Sequence, residues 1–247
     1  MKQAAIIIGA SSGLGRALAE AIAHTGTDVI MSARAEQELQ ILATHLRIRY
    51  QIQAEVIPLD LATLTTATAK NYVDQCFQKM PHCSQVYITA GIIDELDKGT
   101  EAVDYLPKLM QVNCMGISYV MNACCQWLQN RSANITLISS IAAIRPRGSN
   151  IAYSASKIAL EYMALGLRHH FAQSPLRIQV YRAGYMETAL SRGKKLLFPV
   201  AKPERVAHVL IKNRHKDTGL VYVPVFWLPL SWVLQYLPWF IFKKLKF

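Results

Sequence analysis

Acidic residues are scarce in this chain of 247 residues, where 16 Asp and Glu face 27 Lys and Arg for a net charge of +11. From Arg182 onward twelve basic residues meet only Glu187, Glu204 and Asp217, so +9 of that surplus sits in the last quarter. Such an end suits an anionic surface as partner, the alternative being a solvated basic face. Nucleic acid is not the expected partner, because no helix-turn-helix, zinc-finger or RNA-binding signature accompanies the charge. Cysteine is sparse as well. Cys76, Cys83, Cys114, Cys124 and Cys125 are odd in number and lack metal-ligand spacing, which argues against a disulfide framework or metal site and for buried thiols in a cytoplasmic protein. No secretory leader is expected from the first residues: the apolar run after Lys2 is short and enters a glycine-rich turn, so it reads as a first strand.

Charge is absent altogether from residues 220–242, a stretch long enough to be weighed as a membrane span. Pro224, Pro229 and Pro238 interrupt it, residues 220–225 read as a final strand, and residues 226–242 would reach only about 25 Å at ~1.5 Å per residue. Trp227, Trp232, Trp239 and Tyr236, followed by Lys243, Lys244 and Lys246, look more like an interfacial anchor. The competing readings are a tail that packs on another subunit or roofs a pocket, and, least favoured, a span. The expected organisation is therefore one large domain over residues 1–223 with a hydrophobic extension over residues 224–247.

What the chain does contain is an alternation of strand and helix. Strand-type runs at residues 4–8, 28–31, 54–59 and 85–88 alternate with helical patterns at 14–24, 36–50 and 62–79. That rhythm predicts an α/β fold of Rossmann type, a doubly wound parallel sheet. The first strand runs directly into Gly9-Ala10-Ser11-Ser12-Gly13-Leu14-Gly15. Glycines there let the backbone approach a pyrophosphate, and the helix N-terminus supplies free N–H groups and a favourable dipole. At the end of the second strand stands Ser32-Ala33-Arg34 rather than an acid. An acid would bind a ribose 2′-hydroxyl, whereas the Arg34 fork suits a 2′-phosphate, so NADP(H) is expected over NAD(H). The alternative is that Arg34 merely begins the next helix and faces water. Asp60-Leu61 follows the third strand, where the carboxylate can accept from an adenine amino group. Ala90 and Gly91 are small enough to pass close under a cofactor. The acidic segment 94–104 reads as a surface loop and helix start.

The chemistry falls in residues 139–157, SSIAAIRPRGSNIAYSASK. A helix starting near Ile151 puts Tyr153 and Lys157 on one face, where an ammonium would draw the phenol's pKa from ~10 towards neutrality. Ser140, at the end of the strand-type run 135–138, can hold the same substrate oxygen. Asn113 lies inside a long helical pattern ending near Asn130, where it either kinks the helix to hold a relay water or caps it.

Together these residues resemble the short-chain dehydrogenase/reductase family over residues 4–223. The family's TGxxxGxG turn is matched by residues 8–15 with Ile8 for threonine, and its NNAG segment by Ile88-Thr89-Ala90-Gly91 without either asparagine. Its catalytic Asn, Ser, Tyr and Lys fall on Asn113, Ser140, Tyr153 and Lys157. Ala183-Gly184 stands for its PG motif, and Thr188 is where a threonine meets the nicotinamide carboxamide. The resemblance implies hydride transfer between a nicotinamide and a carbonyl or alcohol. Lys157 would hold the nicotinamide ribose, Tyr153 exchange the proton, Ser140 orient the oxygen and Asn113 support the relay. It also implies a homodimer or tetramer. Pocket walls are expected at residues 141–147 and 185–200, where Ile141, Ala142, Ala143, Ile144, Tyr185, Met186, Leu190, Leu196 and Leu197 favour a lipophilic carbonyl such as a 3-oxoacyl lipid or steroid-like ketone. Arg145, Arg147, Arg192, Lys194 and Lys195 stand at its mouth, to meet an acidic group or only water. The alternative function is a non-catalytic NADP(H) sensor, which would have little reason to keep Ser140, Tyr153 and Lys157 in register.

Overall fold

β1 (Ala4–Ile8) and β2 (Asp28–Ser32) are buried along their whole length, as strands covered on both faces must be. They belong to a sheet of seven parallel strands, completed by β3 (Ala54–Val56), β4 (Cys83–Ile88), β5 (Ala133–Ser140), β6 (Leu176–Ala183) and β7 (Leu220–Val223). The strand order is β3-β2-β1-β4-β5-β6-β7. Successive residues of β1 serve opposite cores: Ala4, Ile6 and Ile8 face one, Ala5 and Ile7 the other. The first core is covered by α3 (Thr66–Lys79), α5 (Ile117–Leu128) and α6 (Ile151–His170); the second by α1 (Gly13–His24), α2 (Glu36–Tyr50) and α7 (Pro203–Lys212). This computed structural model describes residues 3–187 and 198–245.

Several boundaries differ from the sequence reading for local reasons. The third strand stops at Val56, and residues 57–59 continue only as isolated bonds, from the Ile57 and Leu59 N–H groups to the carbonyls of Met31 and Ala33. α3 begins at Thr66 because Thr65 and Thr68 close a reciprocal capping box. α4 (Ala102–Met110) and α5 are joined by a π-helical turn, Gln111–Gly116, so Asn113 is mid-helix and caps nothing. The segment 94–104 is not all surface: Asp97 is 1% exposed.

Beyond β7 the chain forms α8 (Trp227–Tyr236) and α9 (Trp239–Phe242), which fold back on the loop after β5. Arg145 Nη1 donates to the carbonyls of Leu234 (2.7 Å) and Leu237 (2.5 Å), and its guanidinium lies 3.8 Å from the Phe242 ring centre. Trp227, Ser231 and Phe242 are buried, whereas Trp232, Tyr236, Trp239 and Phe240 are exposed. Among the described residues no helix is long and apolar enough to cross a membrane.

Candidate active site

The β1–β4 junction is where the strand order reverses, and a cavity of about 550 Å³ opens there. It is lined by twelve of the predicted cofactor residues: Gly9, Ser11, Ser12, Gly13, Leu14, Gly15, Ser32, Arg34, Asp60, Leu61, Ala90 and Gly91. Its local geometry follows from the glycines. Gly9 has φ +94° and donates its N–H to the Ser32 carbonyl at 2.7 Å. A Cβ on Gly15 would stand 2.0 Å from the Gly9 carbonyl oxygen, so only glycine lets α1 start this close to β1. The N-cap Ser12 makes no side-chain cap bond, which leaves first-turn N–H groups of a 12-residue helix available to a phosphate. Arg34 is exposed at the rim, with no acid at the end of β2. This donor set fits an NADP(H) dinucleotide. Two lining side chains also make local bonds: Ser32 Oγ accepts from Tyr72 Oη at 2.7 Å, and Asp60 Oδ1 accepts from the Ala62 N–H at 3.0 Å, which leaves acceptor sites on the carboxylate.

The proton-handling residues adjoin the cleft. Ser140 ends β5, and its Oγ accepts from the Ala142 N–H at 3.1 Å. Tyr153 and Lys157 come from the first two turns of α6, whose start is held by Asp97. The Asp97 carboxylate accepts from the N–H groups of Ala152 and Tyr153, both at 2.8 Å, as an N-cap side chain does, but from 55 residues away. Lys157 is buried, and its Nζ would be 3.0 Å from a Cβ on Gly91, so lysine and cleft floor touch. Asn113 is fully buried. Its Oδ1 accepts from the Ile92 N–H and its Nδ2 donates to the Ile92 carbonyl, each at 2.8 Å, with Ser156 Oγ at 3.2 Å. It therefore clamps the strand-to-loop turn beside Gly91.

The electrostatics differ from the sequence reading. Burial pushes the Tyr153 phenol above its ordinary value of 10.0, and the opposing pull of the Ser140 hydrogen bond and the Arg147 charge does not overcome it. Lys157 is not the cation that acts on it here. Its Nζ lies 5.8 Å from the Tyr153 ring centre, and burial pushes the ammonium itself down to about 8. The phenol is thus held in its protonated, proton-donating form.

Gly184 also departs from expectation. It does not line the cavity, and a Cβ there would be 1.8 Å from Trp227 Nε1, so its glycine serves the packing of an indole. Thr188 lies outside the described residues, as do Leu190, Arg192, Lys194, Lys195, Leu196 and Leu197. Sequence reasoning missed Asp97 and the packing of Trp227 on Gly184, a residue it had read as part of the tail's anchor, together with Thr89, whose Oγ1 donates to the Ile8 carbonyl at 2.9 Å and ties β4 to the glycine turn. One acid among several in an acidic segment and a tryptophan just past a strand were the only signals for the first two.

Residues 3–196 match the family model for short chain dehydrogenase, and the chain belongs to that family. It is 26% identical to an uncharacterized oxidoreductase of Staphylococcus saprophyticus over 89% of this chain and 95% of that one. It is 27% identical to the 11-beta-hydroxysteroid dehydrogenase A of Sesamum indicum over 76% of this chain and 54% of that one. Among solved structures, a short chain dehydrogenase from Shigella flexneri complexed with NADP superposes with a TM-score of 0.82 at 23% identity, covering 90% of this chain and 97% of that one. At that identity the likeness establishes the fold.

Proposed function

We propose that this protein is an NADP(H)-dependent oxidoreductase that interconverts a carbonyl and a secondary alcohol on a lipophilic substrate. The observation that carries this reading is the meeting of a half-buried proton donor with a cleft that fits a dinucleotide: Tyr153, whose phenol Ser140 helps to tune, stands one helical turn from Lys157, which touches the cleft floor at Gly91. When bound, the nicotinamide supplies and recovers the hydride. The protein does the rest. In reduction Tyr153 gives its phenolic proton to the carbonyl oxygen; Ser140 Oγ, already fixed by the Ala142 N–H, holds that oxygen in line. Lys157 would bind the nicotinamide ribose hydroxyls, Thr188 the carboxamide, Arg34 the 2′-phosphate, and Asn113 keeps the turn at Ile92 in place. NADP in the Shigella structure supports the cofactor choice.

The apolar side chains of Ile141, Ile144, Tyr185 and Phe198, grouped beside Ser140, support a lipophilic substrate, as does the steroid named in the sesame relative. Residues 1–223 form the catalytic unit and 224–247 an appended element, working in the cytoplasm. Exposed Val103, Tyr162 and Met163 on α4 and α6 support pairing into a homodimer or tetramer through the helices beside the site. Exposed Trp232, Tyr236, Trp239 and Phe240, next to Lys243 and Lys244, support docking on an anionic membrane surface. The test is NADPH oxidation across 3-oxoacyl, steroid-like and aromatic carbonyls, with and without anionic vesicles, beside Tyr153→Phe. Turnover lost in the variant supports the reductase. Tight NADPH binding with no carbonyl reduced by either protein favours a sensor.

A further inference from the structure

The π-turn Gln111–Gly116 between α4 and α5 touches both ends of the cofactor cleft. Turns of this kind are rare inside helices and frequently mark functional sites. On an α-helix residues 111 and 116 would stand about 140° apart, at ~100° per residue; the i→i+5 ring of a π-turn stacks them on one side. That side meets the loop between β3 and α3. Gln111 Nε2 donates to the carbonyls of Leu64 at 3.2 Å and Leu61 at 3.4 Å. A Cβ on Gly116 would be 2.5 Å from the Leu61 carbonyl oxygen, so turn and loop are in direct backbone contact. Asp60 and Leu61 of that loop line the cleft.

Two residues on, Asn113 reaches the catalytic helix. Besides clamping Ile92, its Nδ2 donates to Ser156 Oγ at 3.2 Å. A hydroxyl has one hydrogen, and Ser156 gives it to the Tyr153 carbonyl at 2.7 Å. Ser156 is fully buried in the second turn of α6. Neither Gln111 nor Ser156 lines the cleft; each bears on it through a neighbour. One run of contacts therefore leads from Leu61 through Gln111, Asn113 and Ser156 to Tyr153. It joins the end of the cleft that the reductase reading gives to the adenosine with the residue to which that reading gives the proton, and the six residues of the π-turn are its middle.

We propose that Gln111 and Ser156 are positioning residues, which through the π-turn couple occupancy of the adenosine end of the cleft to the order of the first turns of α6, where Tyr153 and Lys157 stand. Binding energy gathered far from the reacting atoms is thereby used to align them. This rests on the reductase reading and adds to it the route by which the two ends of the cleft communicate.

The probe is adenosine 2′,5′-bisphosphate, which fills the adenosine end and carries no nicotinamide. Its binding is read by calorimetry, and its effect on residues 152–157 by amide hydrogen exchange, in wild type, Gln111→Met and Ser156→Ala. In wild type, saturating bisphosphate slows exchange there by roughly tenfold, the scale of an ordinary coupling between two sites. Methionine keeps the length of the glutamine and removes its donor; in this variant the slowing falls to about twofold or less, while the bisphosphate binds within about twofold of wild type, because the ordered turn already predominates. Ser156→Ala does the same from the other end of the route, and serves alone should Gln111→Met not fold. Bisphosphate that binds wild type without slowing exchange overturns the coupling, as does slowing that survives both variants. Loss of bisphosphate binding in Gln111→Met also overturns it, by making the glutamine part of the adenosine site itself. Wild type that binds NADPH but not the bisphosphate overturns the coupling alone; wild type that binds neither overturns the reductase reading with it. Slowed exchange as expected, with no carbonyl reduced, keeps the coupling and overturns only the reductase reading.

Discussion

Replacing Lys157 by methionine separates what the lysine does for chemistry from what it does to the fold. The side chain is 4% exposed, and burial lowers its pKa from 10.5 to about 8. Each pKa step is 1.36 kcal/mol, so carrying the charge in the folded protein costs about 3 kcal/mol relative to the unfolded chain. The penalty is fully present below pH 8, lifts as pH rises from about 8 to 10.5, where the unfolded chain binds the extra proton, and is gone above that range. Methionine keeps most of the stem and carries no charge. Lys157→Met is therefore expected to stabilise the cofactor-free protein near neutral pH by up to about 3 kcal/mol, with the advantage shrinking towards pH ~10. Urea unfolding of both proteins at the two pH values gives the double difference directly, while turnover should drop by about 10² or more as cofactor alignment is lost. A stability difference that does not change with pH would refute the reasoning, because it would mean that the ammonium is not held against its hydration.

Asp97→Ala removes the acceptor for the first N–H groups of α6 and should cost about 1–2 kcal/mol, seen as a lower Tm, together with a loss of kcat that Asp97→Asn partly restores. Arg34→Glu should raise the KM for NADPH by about tenfold or more while sparing NADH, measured with any accepted ketone. Glu161 is buried against the Arg182 guanidinium, with Nε at 3.0 and 3.1 Å and Ser139 Oγ donating at 3.0 Å. Glu161→Leu should therefore cost about 3–5 kcal/mol in denaturant unfolding, and adding Arg182→Leu should recover much of it. A double variant no better than the single one would show that the carboxylate matters for its serine contact instead.

The parts of this site that were legible in the sequence are those whose chemistry acts over short stretches of chain. The turn from Gly9 to Gly15 and the spacing of Tyr153 and Lys157 each express a constraint within one or two helical turns, and strand alternation expresses burial on two faces. What escaped was set by distant contacts. Asp97 looked like one of several surface acids in the segment 94–104 because its partners come 55 residues later. Asn113 suggested a cap because nothing local reveals that Ile92 takes both ends of its amide. The pull of Lys157 on Tyr153 was inferred from spacing, whereas the pKa of each group is governed first by how much water the fold removes from it. Gly184 matched a cofactor motif, yet its missing side chain makes room for Trp227, 43 positions further on.

The tail offered competing readings in the sequence: an interfacial anchor, a tail that packs on another subunit or roofs a pocket, and a span. In the fold α8 turns one face inward and one outward. Trp227, Ser231 and Leu234 are spaced at i, i+4 and i+7 on the inward side; Trp227 and Ser231 are buried, and Trp227 and Leu234 line a small cavity. Trp232, Val233 and Tyr236 occupy the opposite side and are exposed. Arg145 fastens the helix by its backbone carbonyls at Leu234 and Leu237, so the latch consumes neither side-chain face. An amphipathic helix has one apolar face to bury; this one has two, and only the inner one is covered by its own chain.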